Sequence, residues 1–111
     1  MLFLKYLAVL ATILTGVASL FWPQKVLGFT GLEVSGGRGI TEIRSILGAL
    51  FVALGAAVLY FRDPTAYQVL GITYLGVAAA RGISMLVDRS VSSSNLISLV
   101  AELVLGLILV L

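Results

Sequence analysis

Long apolar stretches alternate with short polar ones along this chain, and their lengths set the first expectation. The stretches cover about 2–22, 40–61, 66–87 and 95–111. Each is close to the ~20 residues with which an α-helix crosses a ~30 Å hydrocarbon core. Transmembrane strands need strict alternation over shorter runs, and that alternation is missing. Backbone groups in lipid must bond within their own segment, so the four stretches are expected as helices. The predicted fold is all-α: a single domain over 1–111, an antiparallel bundle of four transmembrane helices with a short interfacial segment between the first and second.

The polar connections have distinct characters. Arg62-Asp63-Pro64-Thr65 reads as a tight turn in which Pro64 can start the third helix. The run from Asp88 to Ser94 forms the next connection, with Ser94 or Asn95 as the expected N-cap of the fourth helix. The connection from Pro23 to Gly39 is longer, and its Val26, Leu27, Phe29 and Leu32 suit a segment that lies on or dips into the interface. Within it, Gly36-Gly37-Arg38-Gly39 reads as a flexible hinge; it lacks the Lys-Ser/Thr of a phosphate-binding loop and follows no strand. The first stretch carries Lys5 and small residues around Ala18-Ser19, as a secretory signal does. Its apolar run is long for one, so it is expected to stay as a spanning helix. Tyr6, Tyr60, Phe61 and Tyr67 are expected as an aromatic belt on the side of the termini, with Trp22 and Phe29 on the other. Basic residues lie on both sides and leave the orientation open.

Composition agrees with lipid as the solvent. Hydrophobic residues make up 60% of the 111 and charged residues 11%, with a mean hydropathy of +1.17; soluble globular chains carry about 25% charge. The net charge of +2 comes from scattered basic residues with no Lys or Arg run, which gives nucleic-acid binding no support. The chain has no Cys and no His. That excludes thiol redox chemistry, thiolate metal sites and axial histidine ligation of haem, and removes the usual general base near neutral pH.

Two charges nevertheless lie well inside apolar stretches. Arg81 precedes Asp88, at the end of the third helix, by seven residues, and Glu102 follows Asn95, at the start of the fourth, by seven. In a hairpin these offsets put both at nearly the same depth, about 10 Å in at ~1.5 Å per residue. A charge at bilayer depth costs roughly 2.5–3.5 kcal/mol on insertion scales, so an ion pair is expected, and a guanidinium can meet a carboxylate with two bonds. Helical spacing gives each helix one small or polar face: Lys5, Ala8, Thr12, Thr15 and Ser19 on the first, and Thr41, Ser45, Gly48, Val52 and Gly55 on the second. Tyr74, Ala78, Arg81, Ser84 and Asp88 line up on the third, and Asn95, Ser98, Glu102 and Gly106 on the fourth. Glu42 and Arg44 enter from the same side as the pair but point about 200° apart; one is expected to join the polar seam and the other to face the headgroups. The site predicted from sequence is therefore an intramembrane cluster of Arg81, Glu102, Arg44 and Glu42, structural or ligand-contacting. Gly48, Gly55, Gly71, Gly76 and Gly106 are expected at close helix contacts.

The run Gly36-Gly37-Arg38-Gly39-Ile40-Thr41-Glu42-Ile43-Arg44-Ser45-Ile46-Leu47-Gly48 resembles the Thr-Glu-Ile-Arg…Gly signature of a family of small bacterial four-helix membrane proteins of unknown function. Ala79-Ala80-Arg81 with Asp88, and Glu102 with Gly106, resemble that family's third and fourth helices. Members often carry an aromatic and a second glycine where this chain has Ile46-Leu47-Gly48-Ala49. More distantly the layout is similar to DoxX-like four-helix proteins, some of them linked to quinone-dependent or redox systems. The resemblance implies topology and a bacterial inner-membrane, multi-pass location; it supplies no activity.

Three functions follow as expectations. The first is a non-enzymatic accessory or structural subunit in a larger membrane complex, with lipids and other membrane subunits or further copies of itself as partners and no cofactor. The alternative is a binder of a lipophilic small molecule, a quinone or lipid, with its head group at the Arg/Glu cluster. The third is a small transporter or proton path, for which four spans leave little room. An enzyme ranks last, because Glu42 and Glu102 have no nucleophile, metal or cofactor motif beside them.

Overall fold

The computed structural model describes Met1–Leu111. It is all-α: α1 (Leu2–Phe21), α2 (Pro23–Thr30), α3 (Gly36–Glu42), a π-helical segment (Ile43–Ala49), α4 (Leu50–Phe61), α5 (Pro64–Val87) and α6 (Ser93–Val110), with no strand. From α3 through α4 the chain runs as one rod, Gly36–Phe61. Four helices are long and apolar enough to cross a membrane: Leu2–Phe21, Gly36–Phe61, Pro64–Val87 and Ser93–Val110. These are the four expected spans, with starts moved toward the N-terminus at positions 36, 64 and 93.

The starts move for local reasons. Asp63 caps α5 by accepting the Ala66 N–H at 3.0 Å, and Pro64 takes the first helical position, where its missing N–H costs nothing. Ser92, not Ser94 or Asn95, caps α6 by accepting the Asn95 N–H at 3.3 Å. The expected hinge Gly36-Gly37-Arg38-Gly39 is instead the first turn of the second rod. An i,i+4 ion pair from Arg38 to Glu42 and a bond from the Thr41 hydroxyl to the Gly37 carbonyl hold that turn against the low helix propensity of its glycines. The interfacial segment contains a two-turn helix, α2, which ends where Gly31 turns left-handed (φ 77°) and returns its N–H to Leu27.

The chain divides into two compact units. The first comprises Met1–Ala8 and Arg62–Leu111, and its centre is the α5–α6 hairpin. A Cβ on Gly71 would stand 2.9 Å from the Gly106 carbonyl oxygen, and one on Gly106 would stand 2.7 Å from Leu75, so two glycines mark the closest approach of these helices. Tyr67 is buried, 3% exposed, with Tyr6 edge-on at 6.2 Å and the Lys5 ammonium 5.9 Å from its ring centre. It is a core residue and not the belt residue expected, whereas Tyr60 is 81% exposed.

The second unit, Val9–Phe61, packs the rest of α1 on the second rod. A Cβ on Gly16 would lie 2.6 Å from the Gly48 carbonyl oxygen, one on Gly48 would lie 2.8 Å from Leu20, and one on Gly55 would lie 2.4 Å from Ile13. On α1 the buried face is Ala8, Val9, Thr12, Gly16 and Ser19; Thr15 is exposed and bonds back to the Ala11 carbonyl. Gly76 departs from expectation: a side chain there would meet nothing within 4 Å. At ~100° per residue, five positions from Gly71 turn it about 140° away from the contact face.

Candidate functional site: an arginine–glutamate bridge in the last two helices

Arg81 on α5 and Glu102 on α6 meet as a two-bond bridge. The guanidinium Nε donates to Oε1 of Glu102 at 2.8 Å, and Nη2 donates to Oε2 at 2.8 Å. The carboxylate is the more enclosed partner, with 12% of its side chain exposed against 31% for Arg81. Because α6 begins earlier than the sequence suggests, the Glu102 backbone lies deeper than that of Arg81, by about one turn at ~1.5 Å per residue. Side chains lean toward the N-terminus of their own helix, which in an antiparallel hairpin tips the two toward each other and closes the offset.

A third residue completes the site, and the sequence reading assigned it another task. Nη1 of Arg81 donates to Oδ1 of Asn95 at 2.9 Å, while Asn95 Nδ2 donates to the Ser90 carbonyl at 2.8 Å. Asn95 is free for this because Ser92 does the capping. One signal was available: Asn95 and Glu102, seven apart, share a face of α6. On the α5 side the Ser84 hydroxyl donates to the Asp88 carboxylate at 2.6 Å. Polar contacts thus run from the Ser90 carbonyl inward through Asn95 to the bridge, with Ser84 tied back to Asp88.

The other two predicted cluster members have different surroundings. Glu42 and Arg44 belong to the second unit. Glu42 is held by Arg38 one turn earlier on its own helix, and Arg44 is exposed on the π-helical segment. The hydrogen bonds of Arg81 run to Glu102 and Asn95 within the hairpin, and that of Glu42 runs to Arg38 within its own helix. Beside the bridge lies an open cleft of about 380 Å³, lined by Val77, Ala80, Arg81, Ser84 and Asn95. No group of three or more acidic side chains comes together that could hold a metal ion.

Helices without strands, four of them long and apolar enough to span, and one ionic bridge within the last two define a small multi-pass membrane protein. The chain belongs to the family described as a domain of unknown function, DUF4345, whose model matches residues 2–111. No protein of curated function and no solved structure matches it.

Proposed function

We propose that this protein is a non-enzymatic accessory subunit of a bacterial inner membrane, packing among the helices of a larger complex. The observation that carries this reading is the closure of its ionic centre: both Glu102 oxygens and three guanidinium donors are engaged within the hairpin. Such a centre fixes helix register and leaves no free base or nucleophile for chemistry. Large apolar side chains on all four long helices, such as Leu14, Ile46, Ile83 and Val100, offer surface to neighbouring helices or lipid. The test is purification from native membranes in mild detergent. Other chains at a fixed ratio support an accessory role; a single-component particle of constant size overturns it.

A second reading is favoured by the cleft beside Arg81: a binder of a lipophilic small molecule, lipid or quinone, seated against the bridge. Likeness to DoxX-like proteins belongs to this reading only as shared layout. Arg81→Leu should abolish ligand retention while helical content survives; unchanged retention removes the reading.

A further inference from the structure

We propose that the cleft beside the bridge recognises an uncharged carbonyl oxygen carried by a lipophilic molecule, and discriminates against anions. This rests on the second reading above and specifies its chemistry. A guanidinium has five N–H donors. Three are engaged by Glu102 and Asn95, which leaves one on each terminal nitrogen of a side chain that lines the cleft. Asn95 keeps one amide N–H beyond its bond to Ser90. The lining therefore carries more donors than its own acceptors use, and a ligand entering it is best held through an acceptor atom.

The charge pattern selects which acceptor. Arg81 and Glu102 cancel, and the loop beyond them carries one charge of each sign, Asp88 and Arg89. An anion would give up its water without meeting any net positive charge. A carbonyl oxygen brings lone pairs and no charge. The apolar wall fits the rest of such a molecule: Ala80 is small enough to let it reach the guanidinium, and Val77, 43% exposed, offers contact to a chain or ring. Depth fits as well. Arg81 lies about 9 Å inside the end of α5 at ~1.5 Å per residue, below the headgroups but near the edge of a ~30 Å hydrocarbon core. Both an acyl ester of a membrane lipid and a quinone ring carry a carbonyl to that level.

The experiment uses the full chain in detergent and reads retained ligand by native mass spectrometry. Four probes are offered: a phosphatidylcholine with ester-linked chains, its ether-linked counterpart, a prenylated benzoquinone and dodecyl phosphate. The ester lipid or the quinone should be retained about tenfold or more over the ether lipid and the phosphate, and whichever of the two is preferred names the source. Ala80→Phe fills the cleft without touching the bridge and should remove that retention. Glu102→Gln leaves Arg81 an uncompensated cation and should invert the preference toward dodecyl phosphate. An ether lipid retained as well as the better of the ester lipid and the quinone, or a wild-type preference for the phosphate, overturns the carbonyl proposal while leaving lipophilic binding standing. Retention of no probe, or retention indifferent to Ala80→Phe, overturns both.

Discussion

The α5–α6 hairpin and the contact of α1 with the second rod both place glycine where helix backbones meet, but only the hairpin adds charge. In the hairpin, Gly71 and Gly106 set the approach, and toward the loop Arg81, Glu102 and Asn95 lock the two helices by three hydrogen bonds of 2.8–2.9 Å. In the other unit Gly16, Gly48 and Gly55 bring the helices together, and the one ion pair, Arg38 with Glu42, lies within a single helix. Lipid tails are as apolar as leucine, so neither contact draws on the hydrophobic effect between helices. The glycine contact depends on fit alone. The bridged contact depends also on each charge having no better place to go. The first should yield gradually to a changed side chain, and the second abruptly to the loss of one partner.

Four single variants and one double variant break or sharpen that contrast, each read by reversible unfolding in mixed detergent. Arg81→Leu strands Glu102 and should cost about 3–5 kcal/mol, whereas Arg81→Leu with Glu102→Leu should recover most of it; a double variant as weak as the single one would deny that the charges are coupled. Gly16→Ala comes next, at ~1–3 kcal/mol, because its Cβ would meet the backbone oxygen of Gly48 and the backbone nitrogen of Val52, which cannot turn aside. Gly106→Ala should cost less, ~1 kcal/mol, since its two nearest obstacles belong to the Leu75 side chain and the Gly71 carbonyl oxygen stands farther off at 3.2 Å. Gly76→Ala meets nothing and should stabilise by roughly 0.5–1 kcal/mol through helix propensity. A Gly16→Ala variant that melts like Gly106→Ala would remove the distinction between backbone and side-chain obstacles.

Much of this was legible in the chain because membrane spans are long and loops fix depth. Equal offsets from the 88–94 connection brought Arg81 and Glu102 together before any coordinates, and the bridge survived a shift of the α6 start because both side chains can lean. Smaller features escaped. Four consecutive candidates, Ser92 to Asn95, could each cap α6, and only the choice of Ser92 frees Asn95 for Arg81. The Gly-rich run at 36–39 reads as a hinge on composition, yet Arg38 and Glu42 stand at helical spacing and pair. The π-helical segment Ile43–Ala49 leaves no mark in hydropathy at all, since one wider turn keeps the same residues apolar. Gly76 was misplaced by composition where simple rotation about the helix axis would have excluded it.

The bridge also has a consequence for how the protein is made. Synthesis delivers Arg81 first and Glu102 only after the following loop and half of the last helix have been added. Until then α5 carries a bare cation whose transfer into lipid costs roughly 2.5–3.5 kcal/mol. Placing α5 in lipid ahead of α6 therefore carries a cost that placing the two together does not. Three hydrogen bonds that hold register in the folded hairpin thus also tie the cost of one helix in the membrane to the presence of the next.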